Sequence, residues 1–177
     1  MDKIQLKNGK EIIIREAAEK DAEQMINFYN FVGGETDFLS FGKDDFKKDP
    51  AEYENYIENI KKENNSIILL AKAEGKIIGI ATINSNQKTR TRHVGVLGIV
   101  IEKRYWGLGL GRKLMNLLIN WAKSNNITKK ITLLTNENNK KARDLYKKIG
   151  FIEEGLLTMD NYINGVYYNT VIMGLTL

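Results

Sequence analysis

The stretch from residue 94 to residue 112 constrains the fold most strongly, because three glycines join a strand pattern to a helix pattern. Residues 94–101 are mostly apolar and β-branched and have no helical period, which is typical of a strand. The joint contains three glycines at alternate positions, Gly107, Gly109 and Gly111. Apolar side chains then recur on one helical face, at Leu110, Leu114, Leu117, Leu118 and Trp121. The sequence therefore predicts a strand, a glycine loop and an amphipathic helix in direct succession.

This joint is suited to bind an anion. Glycine lets the backbone approach a ligand closely, and a helix that begins there directs free N–H groups and its positive dipole end at the same place. A phosphate group is the natural ligand. The dinucleotide fingerprint requires glycine at the sixth position of the turn, where this chain has Arg112. The other nucleotide loop requires Gly-Lys followed by Ser or Thr, whereas Gly111 is followed by Arg112, Lys113 and Leu114.

Two motifs identify a family resemblance. Residues 104–109 read Arg-x-x-Gly-x-Gly directly after an apolar strand, and residues 139–151 read Asn-x-x-Ala-x-x-Leu-Tyr-x-x-x-Gly-Phe. Together and in this order they resemble the GNAT family of N-acetyltransferases. The resemblance covers about residues 11–177 and is strongest from 94 to 151. The family's cofactor is acetyl-CoA, so the resemblance implies acetyl-CoA as co-substrate.

The resemblance also implies a set of cofactor contacts. Two parallel strands of the family fold splay apart, and the pantetheine chain lies in the gap like an additional strand. The strand end would offer backbone groups to the pantetheine amides, and the glycine loop would hold the pyrophosphate through its N–H groups. The expected cofactor-binding residues are Ile99, Val100, Ile101, Arg104, Trp106, Gly107, Leu108, Gly109, Leu110, Gly111, Arg112 and Asn139.

Tyr146 is the expected catalytic residue, because it occupies the position that faces the thioester sulfur in many relatives. A leaving thiolate has a pKa of about 8.5 by analogy with cysteine, against about 10 for tyrosine. We therefore expect Tyr146 to stabilise the developing thiolate by a hydrogen bond. Tyr146 also shares an apolar helix face with Leu145 and Ile149, which predicts core packing of its ring. Both descriptions are compatible.

The chain departs from the family pattern at the position of the general base. Many relatives carry a glutamate on the central strand, near the position of Val96, and valine cannot accept a proton. Glu35, Asp37 and His93 are candidate bases, and backbone carbonyls with ordered water are an alternative. Glu35, Asp37 and Phe38, on a segment without clear period, are also candidate acceptor-binding residues. A C-terminal hairpin is expected to contribute Asp160, Tyr162, Tyr167 and Tyr168 to the acceptor side or to an ordinary sheet or dimer face.

The order of predicted elements indicates a mixed α+β fold. We expect one strand, two helices, three strands, a helix, a strand, a helix and two strands, with turns at Asn8-Gly9, Glu74-Gly75 and Asn164-Gly165. This predicts a three-layer fold with a mostly antiparallel, mixed sheet of about seven strands, splayed in the middle and covered by helices on both faces. Residues 1–177 are expected to form a single acyl-CoA N-acyltransferase domain.

Composition excludes several classes of function. The chain has no cysteine, so thiol catalysis and disulfides are excluded, and a single histidine makes a zinc site improbable. The formal net charge of +5 suits an anionic ligand, but no basic stripe favours a nucleic-acid partner. No run is long enough to span a membrane, and no metal is expected. We expect a cytoplasmic protein with a small-molecule or peptide amine as acceptor, and a homodimer is possible.

The resemblance predicts an acetyl-CoA-dependent N-acetyltransferase. The expected acceptor is a primary amine of a small molecule, a polyamine or a protein N-terminus, and transfer would be direct within a ternary complex. The alternative is a catalytically idle acyl-CoA-binding or sensing module on the same fold. The presence of Tyr146 favours the enzyme, and the valine at position 96 favours the sensor.

Overall fold

The computed structural model describes residues 2–177, with eight strands and four α-helices in that range. Two short 3₁₀ turns, at Glu19–Asp21 and Lys103–Tyr105, complete the regular elements. The helices are α1 (Ala22–Gly33), α2 (Pro50–Lys62), α3 (Leu110–Ser124) and α4 (Lys140–Ile149). The strands are β1 (Asp2–Gln5), β2 (Glu11–Glu16), β3 (Ile67–Ala73), β4 (Lys76–Ser85), β5 (Val94–Ile101), β6 (Lys130–Asn136), β7 (Ile152–Ile163) and β8 (Val166–Thr176).

All eight strands belong to one sheet, in the order β1-β2-β3-β4-β5-β6-β8-β7. Every neighbouring pair is antiparallel except β5 and β6, which are parallel. The expected mixed, mostly antiparallel sheet is confirmed. The expected number of about seven strands omitted β1, in which Ile4 is the single apolar residue. This edge strand is recognisable only by its pairing with β2, for example Ile4 with Ile12.

The two faces of the sheet bury separate cores. Ile83 on β4 and Leu97 on β5 point to the face covered by α3 and α4, where they join Leu114 and Tyr146. Ile80 points to the opposite face, where it packs with side chains of α1 and α2. Because side chains alternate along a strand, this division fixes which residues of β4 and β5 face each helical layer.

The two central strands separate soon after they meet. Pairing between β5 and β6 is restricted to Val94 with Lys130, Gly95 with Ile131 and Val96 with Thr132. Beyond this point β5 remains paired with β4 as far as Ile101, and β6 remains paired with β8 as far as Asn136. The facing edges of residues 97–101 and 133–136 therefore have no strand partner. The splayed middle of the sheet is confirmed.

Local sequence signals explain the helix ends. The Asp49 side chain caps α2 by accepting a hydrogen bond of 2.9 Å from the Ala51 amide, with Pro50 in the first turn. Gly150 ends α4 in the left-handed conformation, at φ +115°. Residues at the boundary itself therefore determine each of these two helix ends.

The C-terminal hairpin contains an irregularity that the sequence did not indicate. Between Leu157 and Asn161 β7 has extra residues relative to β8, and Met159 adopts φ +54° there. The Asn169 side chain accepts a hydrogen bond of 2.9 Å from the Met159 amide and stabilises the bulge. The bulge changes the direction of the hairpin beyond it.

Candidate active site

The glycine loop connects the end of β5 to the start of α3. Gly107 and Gly109 adopt φ +76° and +91°, a region that L-residues rarely occupy, so the turn requires glycine at both positions. Gly109 is the N-cap of α3 and provides no side-chain cap. The first-turn amides of this 15-residue helix are therefore left for another partner, at the positive end of the helix dipole. The predicted anion-binding geometry is present.

Side chains of the loop stabilise its shape. The Trp106 indole Nε1 donates a hydrogen bond of 2.7 Å to the Ile101 carbonyl, at the last residue of β5. Arg104 forms an ion pair with the buried carboxylate of Glu102, and its guanidinium lies 5.0 Å from the Tyr105 ring centre. These contacts hold the loop against the strand end, while the Arg104 side chain remains largely exposed.

Helix α4 approaches the loop through Gly111. A Cβ atom built on Gly111 would lie 3.5 Å from both Ile101 Cδ1 and Leu145 Cδ2. The first turn of α3, the end of β5 and the middle of α4 therefore meet at one point. The next residue, Tyr146, packs in the same core as Leu97 of β5 and Leu133 of β6.

The Tyr146 ring is buried and packs against Phe151, with ring centres 6.1 Å apart. Burial raises the pKa of Tyr146 to about 12, so the hydroxyl stays protonated at physiological pH. No hydrogen-bond partner for this hydroxyl occurs among residues 2–177. In that range the single fully enclosed side-chain polar atom without a partner is Arg143 Nε, so the Tyr146 hydroxyl remains accessible. It is a free hydrogen-bond donor on the α4 side of the sheet.

Asn139 lies at the N-cap of α4, where its side-chain oxygen accepts a hydrogen bond of 3.3 Å from the Ala142 amide. The structure thus gives this residue a local role in starting the helix that carries Tyr146. Its side-chain NH₂ group makes no hydrogen bond within residues 2–177.

The segment after α1 contacts the glycine loop through Glu35. Glu35 Oε2 accepts a hydrogen bond of 2.9 Å from the backbone amide of Lys103, two residues after the end of β5. Asp37 and Phe38 are exposed on the same segment. The structure therefore brings Glu35 to the loop, and places Asp37 and Phe38 at the surface beside it in the chain.

His93 lies at the paired end of β5 and β6, and the C-terminal hairpin extends beyond the last pair of β6 with β8. His93 is exposed and directly precedes β5, and its carbonyl accepts hydrogen bonds from Lys129 and Lys130, where β5 and β6 are still paired. Asp160 lies in the bulge of β7, and the exposed rings of Tyr162 and Tyr167 contact each other at 4.8 Å beyond it. Tyr168 pairs with Asn161 across the hairpin.

Part of the sheet surface on the α1–α2 face of the gap is exposed. Val96 and Leu134, on the two central strands, are 45% and 51% exposed. Asn84 pairs directly with Val96, and its side-chain oxygen accepts a hydrogen bond of 2.9 Å from the Tyr56 hydroxyl. Sequence reasoning missed Asn84 and Tyr56 as site residues, because neither belongs to a motif and their contact depends on how α2 packs on the sheet.

The β1–β2 hairpin is a second feature that sequence reasoning missed. The Lys7 amide lies 3.4 Å from the Leu108 carbonyl, and Lys7 Cε lies 3.9 Å from the position of a Cβ on Gly109. The hairpin turn therefore packs beside the glycine loop. Polar residues in a short N-terminal segment gave no indication of this contact.

Residues 2–177 contain no group of three His, Cys, Asp or Glu side chains arranged to hold a metal ion. In the same range, no helix combines the length and the apolar character that crossing a membrane requires.

Comparison with known proteins agrees with this geometry. Residues 35–151 match the family described as the Acetyltransferase (GNAT) family. The crystal structure of an acetyltransferase of the GNAT family from Streptococcus pneumoniae superposes with a TM-score of 0.90 at 39% identity, and the alignment covers 94% of this chain and 99% of that chain.

Two curated relatives have named acceptors. An L-amino acid N-acetyltransferase of Escherichia coli is 31% identical over 109 residues, which are 59% of this chain and 65% of that protein. A spermidine N(1)-acetyltransferase of Escherichia coli is 33% identical over 75 residues, which are 42% of this chain and 40% of that protein. The matched segments thus span less than two thirds of either curated relative.

Proposed function

The chain belongs to the Acetyltransferase (GNAT) family, and from this premise we propose that it transfers an acetyl group from acetyl-CoA to a primary amine. The observation that carries the proposal is the combination of a strand gap, a positive-φ glycine loop at the end of β5 and a protonated tyrosine hydroxyl in the core between the sheet and α3–α4. The similarity to acetyltransferases of amino acids and spermidine supports an amine of a small molecule as acceptor, and a protein N-terminus is a further candidate.

The residues around the gap fit the donor. The unpaired edge of β5 at Ile99, Val100 and Ile101 can hydrogen-bond an extended chain of amides, as a strand would. The free amides at the start of α3 fit a diphosphate. We assign donor binding to the same set that the sequence indicated: Ile99, Val100, Ile101, Arg104, Trp106, Gly107, Leu108, Gly109, Leu110, Gly111, Arg112 and Asn139.

Acetyl-CoA supplies a thioester whose carbonyl carbon accepts the amine lone pair, with loss of the thiolate. Tyr146 is the proposed catalytic residue. With a tyrosine pKa of about 12 and a thiol pKa of about 8.5, complete proton transfer from Tyr146 to the sulfur would cost about 5 kcal/mol. A hydrogen bond from the hydroxyl to the sulfur avoids this cost and stabilises the negative charge. Because the chain has no cysteine, no acyl-cysteine enzyme forms, and transfer is direct in a ternary complex.

The segment after α1 is proposed to border the acceptor. Glu35 is connected to the glycine loop through Lys103, which supports a position between the donor and acceptor sides. Asp37 and Phe38 follow on the exposed part of the segment and provide a carboxylate and a ring that an entering amine can contact.

Three further properties are part of the proposal. The continuous eight-stranded sheet supports one acyltransferase domain over residues 1–177. Exposed apolar side chains on the β7–β8 hairpin, among them Leu156, Met159 and Tyr167, support a homodimer through this hairpin, which light scattering after gel filtration tests. The donor is an intracellular metabolite, which favours the expected cytoplasmic location.

Release of free thiol from acetyl-CoA tests the function. The purified chain is assayed with amino acids, aminoglycosides, spermidine and N-terminal peptides, and acetylated products are identified by mass spectrometry. The proposal expects thiol release that depends on at least one amine. Binding of acetyl-CoA without acceptor-dependent release from any of these amines would instead favour the idle acyl-CoA-binding or sensing module.

A further inference from the structure

The acceptor side of the gap follows from the position of Tyr146. Tyr146 belongs to the core between the sheet and α3–α4, so that layer closes one face of the gap. The face toward α1 and α2 remains open, because the packing of these helices covers Ile80 and Val100 and leaves Val96 half exposed. An amine that reaches a thioester held in the gap therefore approaches over the α1–α2 face.

Four positions of β4 and β5 form the floor on this face. Asn84 is opposite Val96 and Thr82 is opposite Gly98, and opposite residues of antiparallel strands point to the same side. A Cβ on Gly98 would lie 2.9 Å from Thr82 Oγ1, so a side chain at position 98 would collide with the floor. Leu134 adds a second exposed apolar side chain across the gap. The floor is thus apolar beside the gap and polar at Asn84.

The Asn84 side chain is held in a fixed orientation. Its Oδ1 accepts the hydrogen bond from Tyr56, whose ring stacks on Tyr53 at a centre distance of 5.3 Å. Burial raises the pKa of the Tyr56 hydroxyl, so it remains a donor at physiological pH. An amide oxygen has two lone pairs, and Tyr56 uses one of them. The second lone pair can accept a hydrogen bond from an amine N–H.

We propose that Asn84, positioned by Tyr56, binds the acceptor amine, and that the acceptor is an α-amine carrying an apolar group. The inference rests on the proposed acetyl transfer and adds the acceptor class to it. Asn84 is neutral and lies across from Val96, so neither residue removes a proton from an ammonium group. With no proton acceptor on this floor, the amine reacts in its neutral form, and it passes its proton to water as the N–C bond forms and the C–S bond breaks.

The pKa of the amine then decides which acceptors react. About a tenth of an α-amine with pKa near 8 is neutral at pH 7, against about one part in a few thousand of an amine with pKa near 10.4. The apolar side chains of Val96 and Leu134 favour an aliphatic group on the acceptor. Together these properties select L-leucine amide over spermidine.

Steady-state kinetics with L-leucine amide and spermidine test the proposal. We expect a kcat/KM for L-leucine amide at least about 10²-fold above that for spermidine at pH 7. Asn84→Ala should lower kcat/KM for L-leucine amide about 10- to 100-fold and leave the KM for acetyl-CoA within about twofold. Tyr56→Phe should produce a smaller loss in the same direction. The matched control, Asn120→Ala on the exposed face of α3, should equal the wild type.

Asn84→Asp distinguishes acceptor binding from a structural role. A carboxylate at this position should attract the ammonium form, raise the rate with spermidine relative to L-leucine amide and change the pH profile, with an unchanged melting temperature. Unchanged acceptor kinetics in Asn84→Ala, or faster turnover of spermidine than of L-leucine amide by the wild type, would overturn the inference while the transferase function stands. Absence of acceptor-dependent turnover in the wild type would overturn both.

Discussion

Val96 is the last residue of β5 that pairs with β6, and its partner there is Thr132. One residue further the strands have separated, and the edges of both are free of strand partners. Because β5 stays paired with β4 up to Ile101 and β6 stays paired with β8 up to Asn136, a neighbouring strand supports each wall of the gap. We propose that the donor, the Tyr146 hydroxyl and the Asn84 floor meet at the opening that begins at this pair.

Tyr146→Phe should lower turnover by about 10²- to 10⁴-fold with unchanged affinity for acetyl-CoA. The substitution removes the hydroxyl and retains the ring that packs on Phe151, so the melting temperature should change little. Steady-state kinetics and calorimetric binding measure the two effects separately. Turnover equal to the wild type on the best acceptor would remove Tyr146 from the mechanism.

Gly107→Ala should weaken CoA binding by about tenfold or more. Gly165→Ala is the matched control, because Gly107 and Gly165 have φ +76° and +84°, and a Cβ on either meets no atom within 4 Å. Each substitution should cost about 1–2 kcal/mol of stability from the left-handed conformation alone. The two variants should therefore have similar melting temperatures, and CoA titration should show weaker binding only for Gly107→Ala. Equal CoA affinities would contradict the assignment of the loop.

Glu35 connects the segment after α1 to the loop after β5, and two substitutions test this role. Glu35→Ala removes the acceptor of the Lys103 N–H, whereas Glu35→Gln retains an oxygen at that position. We expect the alanine variant to raise the KM for acetyl-CoA several-fold and the glutamine variant to remain close to the wild type. A large kcat loss in both variants, with loss of the acidic limb of the pH profile, would instead identify Glu35 as the general base.

Asp21 should control stability in acid. Burial alone would raise the pKa of Asp21, but hydrogen bonds from Arg15 and from the Ala18 amide outweigh it and lower the pKa to about 2. The ionised carboxylate therefore contributes about 2 kcal/mol to the free energy of unfolding above pH ~4. This contribution disappears as the pH falls toward 2. Asp21→Asn should be destabilised at pH 7 and should approach the wild type near pH 2 in urea unfolding.

The exposed acid Glu54 on α2 provides the control for this experiment. Glu54→Gln should have the unfolding free energy of the wild type at both pH values. A gap between Asp21→Asn and the wild type that stays constant from pH 7 to pH 2 would show that the carboxylate charge does not contribute.

The sequence predicted the elements whose signals are local. The Glu74-Gly75 turn, the Asn164-Gly165 turn and the apolar run of β5 each determine their structure from neighbouring residues, and the structure agrees with all three. The strand Asp2–Gln5 was missed, because its stability comes from pairing with β2 and not from its own composition.

The sequence predicted those parts of the candidate site that belong to a motif. The glycine loop and Tyr146 are parts of two sequence patterns, and the structure brings them together through Gly111 and Leu145. Asn84 and Tyr56 belong to no pattern in the sequence. They are 28 positions apart and meet only because α2 packs over β4, which is tertiary information.

A crystal structure with bound coenzyme A would show whether the glycine loop and Tyr146 hold the two ends of one donor molecule. We expect a diphosphate within hydrogen-bond distance of backbone amides between Trp106 and Arg112, pantetheine along the free edge of β5, and the sulfur beside the Tyr146 hydroxyl. Coenzyme A bound elsewhere, or bound in the gap with its sulfur remote from Tyr146, would contradict this expectation.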